Sequence, residues 1–172
     1  MNPAKRYENF PLGIVFLCNV VSFAVYALGF HILAGFGIGV AALYLLICLG
    51  LEYRVMKASC VNCYYYGRWC GFGKGKLCSL LFKKGDPQQF AERTASWRDV
   101  LPDFLVFLLP VGGGIVLLIQ DFTWPLLIAL AGLVALSFGG TAFVRGSFSC
   151  QYCKQKDIGC PAEQLFRGAR EK

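Results

Sequence analysis

Four long apolar runs constrain the fold of this chain more than any other feature. They cover residues 11–29, 32–51, 101–119 and 123–144, and none carries a charge near its middle. About 20 helical residues, each adding about 1.5 Å, cross the roughly 30 Å hydrocarbon layer of a bilayer. Composition agrees, because 56% of the 172 residues are hydrophobic and only 16% are charged, against about 25% in soluble domains. We therefore expect an all-α integral membrane protein with four transmembrane helices.

Short connections pair these spans into two hairpins. The sequence predicts one tight turn near residues 29–31 and a second at residues 120–122. The chain then consists of a hairpin (11–51), a polar segment (52–100), a second hairpin (101–144) and a polar tail. Two successive hairpins return the chain to the side on which it started. The N-terminus, the polar segment and the tail are therefore expected on one face of the membrane.

The distribution of basic residues predicts which face this is. All 17 Lys and Arg residues fall within residues 5–6, 54–98 and 145–172, and neither hairpin turn contains one. Basic segments are retained on the cytoplasmic side of membranes. We expect a multi-pass protein of the cytoplasmic (inner) membrane with both termini cytoplasmic. The net charge of +7 then favours anionic lipid head groups as partners, and no nucleic-acid partner is expected.

An amphipathic segment connects the two halves. Asp86 can cap a helix that has Pro87 at its first position, and Phe90 and Trp97 lie seven residues apart on one helical face. Aromatic residues on one face of an otherwise polar helix are typical of a helix lying at the membrane surface. Residues 86–100 are therefore predicted to form an interfacial linker helix.

The cysteines repeat with the hairpins. Each hairpin is followed by an Arg, a C-x2-C-x6-C motif and a Leu-Phe-basic-Gly ending, so residues 1–85 and 101–172 are predicted to be parallel repeats. The motifs belong to segments 60–78 and 150–160, which should meet in a small cysteine-rich cytoplasmic cap. The remaining cysteines, Cys18 and Cys48, lie in spans and are expected to serve packing.

Metal binding is the chemistry that this spacing favours. Cytoplasmic thiols seldom form stable disulfides, and a C-x2-C turn presents two sulfurs to one ion. The loop at residues 67–75 is rich in glycine, which would let it turn tightly and aim backbone N–H groups at the sulfurs. Six thiolates satisfy two four-coordinate zinc ions when two of the sulfurs bridge. The predicted ligands are Cys60, Cys63, Cys70, Cys150, Cys153 and Cys160.

This twice-repeated motif resembles the binuclear Zn2Cys6 cluster of fungal transcription factors. The resemblance covers the six cysteines and their spacing, and here two membrane helices separate the halves, so it carries ligand geometry and not DNA binding. It implies that Cys60 and Cys150 bridge two zinc ions and that the other four sulfurs are terminal.

Cys78 leaves a second ligand set open. With Cys60, Cys63 and Cys70 it completes four thiolates, which suffice for one zinc ion or one [4Fe–4S] cluster. The second half has no fourth cysteine. Zinc is the favoured cofactor and an iron–sulfur cluster the alternative.

Three functional hypotheses follow from the sequence. The favoured one is a structural or scaffolding protein in which a metal ion closes the cap. Such a protein could be a subunit of a larger membrane complex. The second is an iron–sulfur protein that transfers electrons in the membrane. The third is a membrane thiol oxidoreductase that uses a C-x2-C pair. No catalytic residue is indicated, and the single histidine, His31, excludes bis-histidine haem ligation.

Overall fold

Four long helices form the framework. The computed structural model describes residues 6–86, 88, 90 and 101–161. Across these residues the chain is helical without any β-strand, although Tyr7 and Cys153 form an isolated parallel bridge. The first two long helices are α1 (Leu12–Leu33), which a 3-10 turn extends to Phe36, and α2 (Ile38–Ala58). The third is α4 (Leu105–Gln120), which a 3-10 turn at Leu101–Phe104 precedes.

The fourth long helix is irregular. It begins as α5 (Trp124–Val134) and includes a short α-helix, α6 (Thr141–Val144). Two π-helical stretches flank α6, at Ala135–Gly140 and Arg145–Ser149, and a 3-10 turn follows at Cys150–Tyr152. Two short helices lie outside this framework: α3 (Lys74–Leu81) and α7 (Gln155–Ile158). Four helices are thus long and apolar enough to cross a membrane, as the sequence predicted.

The first hairpin turn is not where the sequence placed it. Residues 29–31 continue α1, so His31 is helical, and the chain reverses at Gly37 instead. Gly37 has φ +120°, a conformation that glycine adopts far more readily than residues with a side chain. Gly29 stays in the helix because its missing side chain makes room for the Tyr44 ring, whose hydroxyl oxygen lies 2.4 Å from where a Cβ would be. The second turn, after Gln120, is confirmed.

The core of the bundle is centred on α1, which packs against α2, α4 and α5. Val25 and Ile32 of α1 are buried with Leu133 of α5. Tyr44 of α2 is also buried, and its hydroxyl donates a hydrogen bond of 3.0 Å to the carbonyl of Val106. Apolar side chains elsewhere on the long helices are widely exposed, as expected for surfaces that face lipid.

The polar segments gather at one end of the bundle, in agreement with the predicted hairpin topology. The N–H of Phe10 donates to the carbonyl of Trp69 at 2.9 Å, and the N–H of Tyr7 donates to the carbonyl of Tyr152 at 3.1 Å. We call residues 6–10, 59–86 and 149–161 the cap. At the start of the predicted linker helix, the N–H of Gln88 donates to the Asp86 carboxylate at 2.9 Å, as it would if Asp86 were the N-cap. Residues 91–100 lie outside the described residues.

Candidate metal centre

The two C-x2-C segments fold into the same turn. In each, the three residues that start at the first cysteine form a 3-10 turn, and the second cysteine is extended. Cys63 has φ −80° and ψ 150°, and Cys153 has φ −78° and ψ 122°. The N–H of each second cysteine donates to the carbonyl of its first cysteine at 3.3 Å. Both turns therefore present their cysteine pairs on closely similar backbones.

Backbone N–H groups point at three of the sulfurs. The N–H of Tyr65 donates to the sulfur of Cys63, and the N–H of Gln155 donates to the sulfur of Cys153. In the glycine-rich loop the N–H of Gly75 donates to Cys70 Sγ at 3.4 Å, as expected from the sequence. These donors stabilise a thiolate, whether free or bound to metal.

Burial opposes ionisation of the same sulfurs. It raises the pKa of the Cys63 thiol to about 12 and that of the Cys153 thiol to about 11, and the backbone donors offset only part of each shift. As free thiols both would be protonated near pH 7. The cysteines of C-x2-C oxidoreductases have lowered pKa values, so these two differ from them.

The two motifs are joined by a reciprocal pair of hydrogen bonds. The backbone N–H of Tyr64 donates to Gln155 Oε1 at 2.7 Å, and the backbone N–H of Lys154 donates to the Tyr65 hydroxyl at 3.0 Å. Tyr64 and Lys154 each follow the second cysteine of their motif by one residue, and Tyr65 and Gln155 follow it by two. The two accepting side chains are almost fully buried, with 2% of Tyr65 and 3% of Gln155 exposed. Each motif therefore completes the backbone hydrogen bonding of the other.

The N-terminal segment holds this junction together. The Tyr65 hydroxyl donates to the carbonyl of Tyr7 at 2.6 Å, and the rings of Phe10 and Tyr65 pack with centroids 5.5 Å apart. Arg6 forms an ion pair of 3.0 Å with Asp157. A second ion pair, between Glu8 and Lys154 at 2.8 Å, lowers the pKa of the Glu8 carboxyl through its hydrogen bond and charge. The segment thus contacts both cysteine motifs.

The candidate ligands differ in exposure. Cys150 is exposed, and five others are partly exposed: Cys60, Cys63, Cys70, Cys153 and Cys160. Cys63 lies within electrostatic range of Cys70, Cys153 and Cys160, so sulfurs of the two motifs are neighbours. Cys78 is fully buried, and its thiol donates to the carbonyl of Met56 at 3.8 Å.

The sulfurs are suitable donors for a metal ion, but they do not lie close enough together to coordinate one. Within the described part of the chain, no three His, Cys, Asp or Glu residues are grouped so that they hold an ion as they stand. The backbone turns and their N–H···S bonds suit thiolate ligands. Cys18 and Cys48, expected to serve packing, are buried among the long helices.

Sequence reasoning missed the residues that join the two motifs. Neither Gln155 nor Arg6 carries a recognisable signal, since both lie in ordinary polar stretches. The run at residues 64–66 contains three tyrosines that look equivalent in the sequence, although only Tyr65 is buried.

Comparison with models of known families, with curated proteins and with solved structures found no match.

Proposed function

We propose that this chain is a membrane scaffold protein in which the two cysteine motifs form one metal–thiolate cap that fastens the two hairpins together. Zinc is the favoured metal, because zinc accepts four thiolates and serves structural sites in reduced compartments. The proposed ligands are Cys60, Cys63, Cys70, Cys150, Cys153 and Cys160. The cap would face the cytoplasm, where the basic residues beside it favour retention.

The reciprocal hydrogen bonds of Tyr65 and Gln155 carry this proposal. Two motifs that bound separate ions would have no need to complete each other's backbone hydrogen bonding. The equivalent positions of donors and acceptors in the two halves are also what a pseudo-twofold repeat requires. This supports a pair of parallel repeats meeting at the cap.

Nearby charges support a thiolate centre. Six thiolates and two Zn²⁺ ions sum to a net charge of −2, which positive side chains stabilise. Lys74 lies within electrostatic range of Cys60. The ammonium of Lys154 and the guanidinium of Arg68 both lie over the Tyr64 ring, at 5.4 Å and 4.9 Å from its centroid. Cationic side chains thus lie beside both motifs, with Lys154 also paired to Glu8 and Lys74 to Glu52.

A structural role follows from how little the cap buries without metal. Its apolar core is small: Phe10 and Tyr65 of the cap are buried together with Val15 of α1. A bound metal ion would supply folding free energy to such a segment. Because the cap contains residues from both halves, that energy would also hold the hairpins in register, which is what a scaffold for partner subunits needs.

Elemental analysis of protein purified without air tests the proposal. We expect about two zinc ions per chain, the number that six thiolates satisfy with two bridging sulfurs. Cys60→Ser and Cys150→Ser should each release metal from both motifs, whereas Cys48→Ala, in a membrane helix, should release none. Loss of metal from only the mutated half would contradict a shared centre. Iron with matching sulfide would instead identify an iron–sulfur protein, and absence of any metal would reject both.

A further inference from the structure

The helix α3 carries an apolar face that the four-helix framework does not cover. Leu77, Leu80 and Leu81 are 47%, 76% and 58% exposed and lie at positions i, i+3 and i+4, on one side of the helix. Gly75 and Cys78, on the other side, are buried. The buried side fits tightly, because a Cβ on Gly75 would lie 2.1 Å from the carbonyl oxygen of Tyr65. This packing fixes which face of α3 is outward.

Contacts with α2 show that α3 lies across the end of that helix. At the start of α3, Lys74 pairs with Glu52, and just after its end the Phe82 ring packs on Tyr53 with centroids 5.2 Å apart. Glu52 and Tyr53 are consecutive, so they differ by about 1.5 Å along α2, whereas eight residues of α3 extend about 12 Å. A helix that contacts one level of α2 from both its ends must cross α2 and not run along it. If α2 spans the bilayer, α3 therefore lies close to the membrane plane.

That level coincides with the end of the apolar run in α2. The exposed residues Leu46, Leu49 and Tyr53 follow one face of α2, and Lys57 lies one turn beyond Tyr53. Tyrosine and lysine in this order mark the passage from hydrocarbon to head groups. The three leucines of α3 are thus held at the height of the head groups and upper acyl chains.

Basic residues surround the same junction. Exposed lysines precede and follow the apolar face, at Lys57, Lys76, Lys83 and Lys84. An open cavity of about 440 Å³ lies beside the contact of α2 with α3, lined by Tyr53, Arg54, Lys57 and Ala58. Its lining surface is mostly apolar, and its two cationic residues are Lys57 and Arg54, of which Arg54 lies 3.9 Å from the Asp103 carboxylate. A glycerophospholipid with an anionic head group matches this surface, because its acyl chains suit the apolar lining and its head group suits the cationic residues.

We infer that α3 is an interfacial anchor: it inserts Leu77, Leu80 and Leu81 into the leaflet at which α2 ends, with Lys57, Lys83 and Lys84 binding anionic phospholipid head groups. The contacts that orient this surface, Lys74 with Glu52 and Phe82 with Tyr53, involve no proposed metal ligand. The anchor would fix the height of the cap over the bilayer. If the chain binds no metal, the anchor can still hold, and if the anchor fails its test, the metal proposal is unaffected.

Depth-dependent fluorescence quenching of the full chain in vesicles tests the anchor. Leu80→Trp adds one indole to the outward face of α3, and Ile158→Trp adds one to the four-residue cap helix α7, at a side chain that is 49% exposed. Each spectrum is compared with that of the unmodified chain. Phospholipids brominated in the upper acyl chain should quench the Leu80→Trp indole at least about twofold more than the Ile158→Trp indole, as insertion of this face requires. Equal quenching of both, or quenching of Leu80→Trp only by aqueous iodide, would overturn the anchor.

The lipid preference is tested in the same Leu80→Trp chain. Replacing roughly a third of the phosphatidylcholine by phosphatidylglycerol should increase quenching, and raised salt should remove the increase. With Lys57→Gln, Lys83→Gln and Lys84→Gln added, the increase should be lost while quenching in pure phosphatidylcholine persists. An increase that survives these three substitutions would overturn the assignment of the head-group site.

Discussion

The Tyr65 hydroxyl and the Gln155 carboxamide occupy equivalent places in the two halves of the cap, and each accepts the N–H that follows the second motif cysteine of the other half. Each of these residues also directs its own backbone N–H at the sulfur of the second cysteine of its own motif, Tyr65 at Cys63 and Gln155 at Cys153. Together the two residues hydrogen-bond the two cysteine turns directly to each other.

Removing either acceptor should destabilise the cap. Gln155→Met keeps the length of the side chain and leaves the backbone N–H of Tyr64 without its acceptor. Tyr65→Phe likewise leaves the backbone N–H of Lys154 without its acceptor. An orphaned buried N–H costs about 1–3 kcal/mol, so each variant should unfold at a lower temperature in detergent. Gln151→Met is the control, because Gln151 is an exposed residue of the same motif. Equal melting temperatures for Gln155→Met and Gln151→Met would show that the reciprocal bonds contribute nothing.

Gly75 should tolerate no side chain. A Cβ there would lie 2.1 Å from the carbonyl oxygen of Tyr65 and 2.7 Å from that of Arg68, both of which belong to the backbone. Gly75→Ala must therefore displace α3 or the loop, at a cost of about 1–3 kcal/mol in the stability of the cap. Limited proteolysis should cut the cap faster in Gly75→Ala than in Gly112→Ala, since a Cβ at Gly112 meets no atom within 4 Å. Similar cutting of both would contradict the packing of α3.

Alanine at Gly37 should weaken the first hairpin. With φ +120° and ψ 154°, this residue lies in a region that is essentially restricted to glycine, and a side chain there costs about 1–3 kcal/mol. Gly39→Ala is the matched variant, because Gly39 is helical and a Cβ there meets nothing within 4 Å. Unfolding in mixed micelles should show loss of stability for Gly37→Ala alone. If Gly39→Ala were equally destabilised, the turn would not be at Gly37.

Alkylation of the metal-free protein should follow exposure. Cys150 is the exposed cysteine among those of the cap, so iodoacetamide should modify it first. Cys18, Cys48 and Cys78 are buried and should react only after unfolding. Mass spectrometry of peptides at short reaction times gives the order. Zinc added beforehand should protect Cys150 if it is a bridging ligand, and early modification of Cys78 would be incompatible with its burial.

Chelation should act on the cap and spare the membrane helices. A metal that supplies folding free energy to the cap is lost to a strong chelator, so proteolysis at residues 59–86 should become faster while helical circular dichroism changes little. Returning zinc should restore protection. An unchanged cutting pattern after complete removal of metal would mean that the cap is stable by itself.

The membrane framework could be predicted because hydropathy alone decides it. Twenty apolar residues in a row have few alternatives to a membrane helix, and the short connection at Gln120 leaves one place for a turn. The first turn was placed wrongly because Gly29 and Gly37 look alike in the sequence. Only the fold separates a glycine that admits a tyrosine ring from a glycine with positive φ.

The contacts within the cap could be predicted only in part, for a similar reason. Identical spacing pointed to the cysteines, and the glycines of the loop pointed to N–H groups near sulfur, as Gly75 and Cys70 show. The residues that follow those cysteines have partners 58 to 146 residues away, as in the contacts of Tyr65 with Tyr7 and of Lys154 with Glu8. No periodicity within a local stretch encodes contacts of that range, so Arg6, Tyr65 and Gln155 needed the structure.

The contacts of Tyr7 with both cysteine motifs determine when the cap can close during synthesis of the chain. The ribosome releases Tyr7 before any of the four long helices, yet its neighbours Tyr152 and Cys153 emerge only after the fourth long helix has been made. At about 5–20 residues per second the early segment waits many seconds for its partner. Closure of the cap therefore occurs after all four helices have been synthesised.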